Sequence, residues 1–405
     1  MGIADAEDSL RELKELTASA GARVVGTVLQ RSPEPDPATL LGRGKVHEVR
    51  TQARAAGADL VIFDHDLTPT QLRNLEKLLD RKVIDRTQII LDIFARRARS
   101  REGQLQVELA QLNYLLPRLS GHGTVLSRLG GGIGTRGPGE QQLEYDRRRV
   151  RRRIRILTEG IERVRAQRAL HRAHRRDQNL HTVALVGYTN AGKSTLFNAL
   201  TSAGVVTSAR LFATLDPTVR ALPLDSHRTA LLSDTVGFIR KLPPHLVAAF
   251  RATLEELAEA RLLLHVTDAS DTQRAAQDAA VETLLEDLGV AATPRLHVWN
   301  KVDLLAPGEQ RKLEAQDRSV TVSALTGEGL ENLRQRIANE LAADPVVEAD
   351  FELSSSDGKH LALLHRAGTV VSTHYAEGKV LVRARVPESV REMLKPSRAE
   401  AWRER

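Results

Sequence analysis

Gly187-Tyr188-Thr189-Asn190-Ala191-Gly192-Lys193-Ser194 fits the phosphate-cradling pattern G-x-x-x-x-G-K-S. It follows the apolar run Val183-Ala184-Leu185-Val186 and leads into the helix-like Thr195-Leu196-Phe197-Asn198-Ala199-Leu200, so its strand–loop–helix context is right. Asp234-Thr235-Val236-Gly237, Asn300-Lys301-Val302-Asp303 and Ser323-Ala324-Leu325 come next, in that order. Taken singly, each is equally a surface turn after a buried strand. In series they specify a guanine nucleotide.

Each motif has a physical job. Gly187 and Gly192 permit backbone angles that let successive N–H groups face phosphate oxygens. Lys193 should reach the β- and γ-phosphates, and the Ser194 hydroxyl should ligate Mg²⁺. Asp234 ends the strand Ala230-Leu231-Leu232-Ser233, a natural place for an outer-sphere magnesium carboxylate. Gly237 then offers its N–H to the γ-phosphate. The Asp303 carboxylate can accept from guanine N1–H and the 2-amino group, which adenine cannot supply. Asn300 shares in that selection, Lys301 should lie along the base, and Ser323-Ala324 should give a backbone N–H to the guanine oxygen.

A switch threonine is also required. Val205 to Pro217 contains Phe212-Ala213-Thr214-Leu215-Asp216. Thr214 is the expected magnesium-binding residue that closes over the γ-phosphate, with Thr218 as its rival. Lys193, Thr214 and Gly237 are thus the expected catalytic set.

These residues need a scaffold, and 405 residues suffice for several cores. No cysteine is present, which excludes disulfides and zinc fingers. Neither a signal peptide nor a membrane-length apolar stretch is found, so a cytoplasmic protein is expected, a monomer, and at most peripheral at a membrane when bound to its partner. Residues 1–100 alternate helix and strand signals, as in a small parallel α/β domain. Expected helices are Ser9–Leu16, 46–55, Thr68–Leu79 and 88–98; expected strands are 23–29, 59–64 and 82–85. Leu41-Gly42-Arg43-Gly44-Lys45 lacks the spacing of a phosphate loop.

Leu105, Leu109, Leu112 and Leu116, then Val150, Ile154, Leu157, Ile161 and Val164, form two helical seams suited to an antiparallel pair. Between them runs a glycine-rich tip carrying Arg128 and Arg136. From Arg147 to Arg176 there are 13 arginines against two glutamates, a charge of +11. The chain as a whole carries +7, so the remainder sums to −4. A solvated helix face would explain the run. An arm contacting RNA phosphates explains it together with the basic tip, through Arg147, Arg148, Arg149, Arg151, Arg152 and Arg153.

The fold class expected is multidomain α/β. Residues 1–100 form the N-terminal domain, 101–180 the helical hairpin, 181–343 a P-loop GTPase domain, and 344–405 a small α+β domain. The GTPase domain should hold helices at 246–260, 272–288 and 330–341. The C-terminal domain should hold a helix at 358–366 and strands at 369–374 and 379–386, closed by a helix at 388–394.

The tip Gly-Gly-Ile-Gly-Thr-Arg-Gly-Pro-Gly-Glu, the segment Phe212–Asp216 and Asp-Thr-Val-Gly-Phe-Ile-Arg resemble the HflX family of translation-factor-class GTPases, over nearly the whole chain. The resemblance implies binding to the large ribosomal subunit and its RNA, and nucleotide-dependent splitting of stalled or idle ribosomes. It also favours Thr214 over Thr218.

Two residues depart from the commonest GTPase pattern. Phe238 stands where many small GTPases carry a water-orienting glutamine, so intrinsic hydrolysis should be slow and ribosome-stimulated. Asn190 matches an asparagine that binds an activating K⁺ in some related GTPases; a loop-stabilising hydrogen bond is the other use. The competing readings are a ribosome-assembly or RNA-modification factor and an RNA-binding protein that uses GTP only as a switch ligand.

Overall fold

The computed structural model describes residues 3–30, 34–119, 138–177, 181–201, 211–216, 218–224, 228–240, 257–342, 346–354, 358–367, 369–376, 379–387, 390–391 and 394. The chain falls into two compact units, residues 1–333 and 334–405.

The N-terminal elements are α1 (Ile3–Ser19), α2 (Arg43–Ala55), β1 (Leu60–Phe63), α3 (Pro69–Leu79), β2 (Lys82–Asp85) and α4 (Arg86–Arg97). Local chemistry sets several of these boundaries. Thr68 and Gln71 exchange side-chain and backbone bonds in a reciprocal capping box ahead of Pro69. Asp85 accepts from Gln88 N at 2.9 Å and starts α4. β1 and β2 pair in parallel with Leu60 opposite Lys82.

The strand expected at 23–29 is absent. Residues 22–30 run without sheet pairing, and Val24 and Val25 are 39% and 45% exposed. Apolar alternation marks a face that wants cover, but a strand also needs a neighbour's backbone, and β1 is bonded only to β2.

α5 (Arg101–Leu115), a 3₁₀ turn at Leu116–Leu119 and α6 (Pro138–Asp177) follow. Glu108 takes two bonds from Arg153, at 2.6 and 2.7 Å, and Leu105 lies beside Gly160. Position numbers rise on one helix as they fall on the other, so the pair is antiparallel as its seams predict. The second face of α5 carries Val107, Ala110 and Tyr114 into a core shared with Leu13, Leu16, Ile90 and Phe94. α5 is therefore both half of the hairpin and a wall of the N-terminal core. Arg128 and Arg136 lie outside the described residues.

The nucleotide domain holds β3 (Thr182–Val186), α7 (Lys193–Thr201), β4 (Thr218–Pro223), β5 (Thr229–Asp234), β6 (Leu262–Asp268), α8 (Arg274–Asp287), β7 (Arg295–Asn300), α9 (Pro307–Glu314), β8 (Ser319–Thr321) and α10 (Leu330–Ala342). The strand order is β4-β5-β3-β6-β7-β8, parallel except for β4. All four motifs sit at or just after the carboxyl ends of parallel strands, where open α/β sheets form their ligand crevice. Most of the helix expected at 246–260 lies outside the described residues.

In the C-terminal unit, β9 (Val346–Ser354), α11 (Gly358–Ala367), β10 (Thr369–Ala376) and β11 (Lys379–Pro387) form an antiparallel sheet with a helix. β11 lies between the other two strands, and Phe351, Leu364, Val382 and Val386 make the core. β9 is a third strand beyond the two expected. The closing helix at 388–394 falls largely outside the described residues.

Candidate functional site

The phosphate loop turns between β3 and α7. Gly187 has φ +146° and Gly192 φ +92°; a β-carbon on Gly192 would collide with the Asn300 amide. Lys193 is buried, and its Nζ donates to the carbonyls of Gly187 (3.0 Å) and Tyr188 (2.7 Å). Asn190 sits exposed with φ +64°, a conformation asparagine tolerates. Ala191 and Thr189 are buried, while Thr195 is half-buried in the first turn of α7.

Ser194, Thr214 and Asp234 converge. Ser194 Oγ lies 2.7 Å from Thr214 Oγ1 and 2.8 Å from Asp234 Oδ2, and Thr214 Oγ1 lies 2.9 Å from Asp234 Oδ2. Asp234 Oδ1 is buried with no hydrogen-bond partner. Three clustered oxygens and an orphaned carboxylate oxygen are hard-cation donor chemistry, and they fit Mg²⁺. Burial pulls the Lys193 ammonium down to about 8, against the opposing charge of Asp234. Burial likewise raises the Asp234 carboxyl, against the hydrogen bond from Ser194 and the charge of Lys193.

Thr218 opens β4, paired in register with Asp234. Within Phe212–Asp216, Thr214 reaches the oxygen cluster and Ala213 is half-buried. The other three turn towards the N-terminal elements. Phe212 packs edge-on to Phe94 with ring centroids 4.6 Å apart, and Leu215 is buried in the same core. The Asp216 carboxylate accepts from Arg99 N (2.7 Å), Ser100 N (2.8 Å) and the Ser100 hydroxyl. Expected beside the nucleotide, it caps the approach to α5 instead.

After Asp234 the chain is zipped to the phosphate loop. Thr189 N donates to Phe238 O at 2.7 Å, and Phe238 N to Gly187 O at 3.1 Å. A β-carbon on Gly237 would press against Thr189, so this glycine lies tight on the loop. Thr235 spends its hydroxyl on Leu185 O at 2.5 Å, and Val236 is buried. The Phe238 ring is buried in the large core and presents nothing to water.

At the other end, Asn300 is a strut. Its Nδ2 donates to Ala191 O at 2.8 Å and its Oδ1 accepts from Ala324 N at 3.0 Å. One buried amide thereby joins the phosphate loop to the Ser323-Ala324-Leu325 loop. Lys301, at φ +64°, pairs with Asp268 at 2.6 Å. Val302 is buried beneath the turn, whereas Asp303 is exposed on it and Leu325 is 81% exposed. The Ser323 hydroxyl accepts from Thr326 N at 3.1 Å, which shapes that loop.

On α6 the arginines divide. Arg153 is held by Glu108, and Arg148 pairs with Glu144 at 3.0 Å. Arg147, Arg149, Arg151 and Arg152 make no ion pair among the described residues, and the last three are exposed. Sequence reasoning missed Glu12, Arg86 and Ser100, which bond to the phosphate-loop and switch segments from the N-terminal elements. No spacing rule links residues so distant; the faint signal is a charged residue, Arg86, directly after a buried strand.

A G-x-x-x-x-G-K-S loop after a parallel strand, a serine–threonine–aspartate oxygen cluster and an asparagine clip behind a lysine and an aspartate define a P-loop guanine-nucleotide-binding domain. Family profiles match three consecutive stretches: GTP-binding GTPase N-terminal at residues 7–95, GTP-binding GTPase Middle Region at 97–175, and 50S ribosome-binding GTPase at 182–301. GTPase HflX of Caldanaerobacter subterraneus subsp. tengcongensis is 47% identical over 96% of this chain and 90% of its own length. GTPase HflX of Escherichia coli K12 is 45% identical over 95% of this chain and 90% of its own. A GTP-binding protein from Sulfolobus solfataricus, solved with GDP, is 24% identical over 83% of this chain and 96% of its own, with a TM-score of 0.45. The chain belongs to the HflX family of GTPases, a ribosome-binding family, and is a GTP-hydrolysing enzyme. No described helix is long and apolar enough to cross a membrane.

Proposed function

We propose that this GTPase binds the large ribosomal subunit and splits stalled or idle ribosomes, hydrolysing GTP to GDP and phosphate with Mg²⁺. The observation that carries the enzymatic part is the oxygen cluster of Ser194, Thr214 and Asp234, built from three separate segments. Ser194 and Thr214 are assigned as the residues that hold Mg²⁺, with Asp234 as the outer-sphere carboxylate. The metal supplies charge neutralisation at the phosphates. The loop Gly187 to Thr195 cradles the phosphates, with the N–H groups of Asn190 and Gly192 to Thr195 facing them while Thr189 N–H stays bonded to Phe238 O, and Lys193 exchanges its two loop carbonyls for phosphate oxygens. Gly237 N–H addresses the γ-phosphate. Asp303 selects guanine, Lys301 flanks the base, and Asn300 keeps the two loops in register around it.

Water attacks the γ-phosphorus as its bond to the bridging oxygen breaks, and GDP leaves with the negative charge that Lys193 offsets. Phe238 cannot orient that water. Intrinsic turnover is therefore slow, and the ribosome supplies the missing alignment, worth roughly three to five orders of magnitude where partners act so. Arg147, Arg149, Arg151 and Arg152, with Arg128 and Arg136 of the tip, are assigned to ribosomal RNA phosphates. Asn190 is assigned to K⁺; equal turnover in Na⁺ would remove that assignment.

The test is steady-state GTP turnover with and without purified large subunits, with ATP as control, alongside sedimentation of intact ribosomes. Stimulation by mature subunits together with loss of the intact-ribosome peak supports splitting. Stimulation by precursor particles alone would replace it with an assembly role.

A further inference from the structure

We infer that Asp216 is a positioning residue for GTP hydrolysis, holding Thr214 at the Ser194–Asp234 cluster by gripping the chain at the start of the arm helix α5. The inference rests on the assignment of Thr214 as the switch threonine.

The grip uses the whole carboxylate. Oδ2 accepts the backbone N–H groups of Arg99 (2.7 Å) and Ser100 (2.8 Å), while Oδ1 meets the Ser100 hydroxyl. Ser100 Oγ also accepts from Gly103 N at 2.9 Å, so one hydroxyl joins the switch segment to the first turn of α5. Backbone donors at a helix start have no intrahelical partner, and a carboxylate there is stabilised by the positive end of the helix. The fit is close: a β-carbon on Gly103 would meet the Asp216 carboxylate, so any side chain there must push that carboxylate aside.

Thr214 is bracketed by such anchors. On its other side Leu211 N donates to Ser19 Oγ at 3.0 Å, and Phe212 is locked against Phe94. Two residues of chain span at most about 7 Å, so Asp216 cannot travel far from α5 without drawing Thr214 from Ser194 and Asp234. α5 in turn carries α6 through Leu105 and the Glu108–Arg153 bonds. A partner that shifts the hairpin therefore biases Thr214, and a nucleotide that captures Thr214 biases the hairpin by the same factor.

The test compares D216A, D216N, G103A, T214A and D216A/T214A in the full chain. Readouts are single-turnover GTP hydrolysis with and without large subunits, GDP affinity and melting temperature. We expect D216A to slow hydrolysis about 10- to 100-fold with GDP affinity unchanged, as expected for a misplaced reacting group. D216N should recover most of the rate, since its amide oxygen can still take both backbone N–H groups and its NH₂ can donate to Ser100. G103A should reproduce D216A from the α5 side. The double variant should be no slower than T214A alone, because Asp216 acts through Thr214. Wild-type hydrolysis in D216A, multiplying effects in the double variant, or a parallel fall in GDP affinity would each overturn the inference. A wild-type rate in T214A would defeat the Thr214 assignment itself, and this inference with it.

Discussion

The Tyr188 hydroxyl of the phosphate loop donates to Glu12 Oε1 of α1 at 2.7 Å, across 176 residues of chain. Glu12 pairs with Arg86 at 3.0 Å, Arg86 donates to Arg240 O at 2.9 Å, and Arg240 N returns to the Tyr188 hydroxyl at 2.9 Å. The four residues close a ring joining the phosphate loop, the segment after Gly237 and the N-terminal helices. Asp64 adds a second carboxylate to Arg86 at 2.8 Å.

Removing members of that ring should have unequal effects. R86A strands two carboxylates around a buried position and is expected to cost about 3–5 kcal/mol. Y188F removes one hydroxyl and should cost only about 1–2 kcal/mol. Urea unfolding followed by fluorescence and circular dichroism checks the ranking; equal losses would mean the ring is not organised by Arg86.

Guanine selection can be inverted at one atom. D303N should turn an acceptor for N1–H and the 2-amino group into a donor suited to a 2-oxo base. GTP affinity is expected to fall by at least about 100-fold while xanthosine triphosphate gains. Competition binding with GTP, XTP and ATP reads this directly, and retained GTP preference would place base recognition elsewhere.

Acid should weaken the fold through His297. Its ring stacks between His265 (4.8 Å) and Trp299 (4.0 Å), with Asp278 and Glu282 of α8 facing the pair. Burial, with the charge of His265, pulls the His297 imidazole from 6.5 down to about 4. Between those values the unfolded chain binds the proton and the native chain does not. Stability therefore falls as pH drops from 6.5 towards 4, by up to one proton's slope. In H297Q the melting temperature should vary less over this window; an unchanged pH profile would rule His297 out as the group responsible.

The arginine arm should be separable from the nucleotide site. Charge reversal at Arg149, Arg151 and Arg152 is expected to weaken large-subunit binding and to lower its salt slope by about one for each phosphate no longer neutralised. GTP affinity should stay at the wild-type value. Arg153→Glu is a different experiment, because it sets a second acid against Glu108 and opens the hairpin.

The local chemistry of the site is legible because it is local. Gly187 to Ser194 form one turn, and strand periodicity puts Asp234 and Asn300 at strand ends without reference to the rest of the chain. Sequence reasoning missed β9 although its pattern is just as local: Val347, Ala349, Phe351 and Leu353 alternate with Glu348, Asp350 and Glu352. Its acidic partners find Arg383 and Arg385 across the sheet. The run 23–29 shows the converse, for its alternation is clear but pairing depends on an edge that other segments must provide.

By itself, then, the sequence determined the four loop motifs and their order, the two seams of the hairpin and the concentration of charge on its second helix. Each is set by spacing within a few turns of chain. Only the tertiary structure decided where Asp216, Tyr188 and Phe238 point. All three belong to nucleotide-site segments, yet Asp216 grips the start of α5, Tyr188 bonds to α1, and Phe238 fills a core shared with both. The reason is that a side chain's partner is set by which surfaces pack together, and the packing of α1, α4 and α5 against the switch segments depends on residues more than a hundred positions apart.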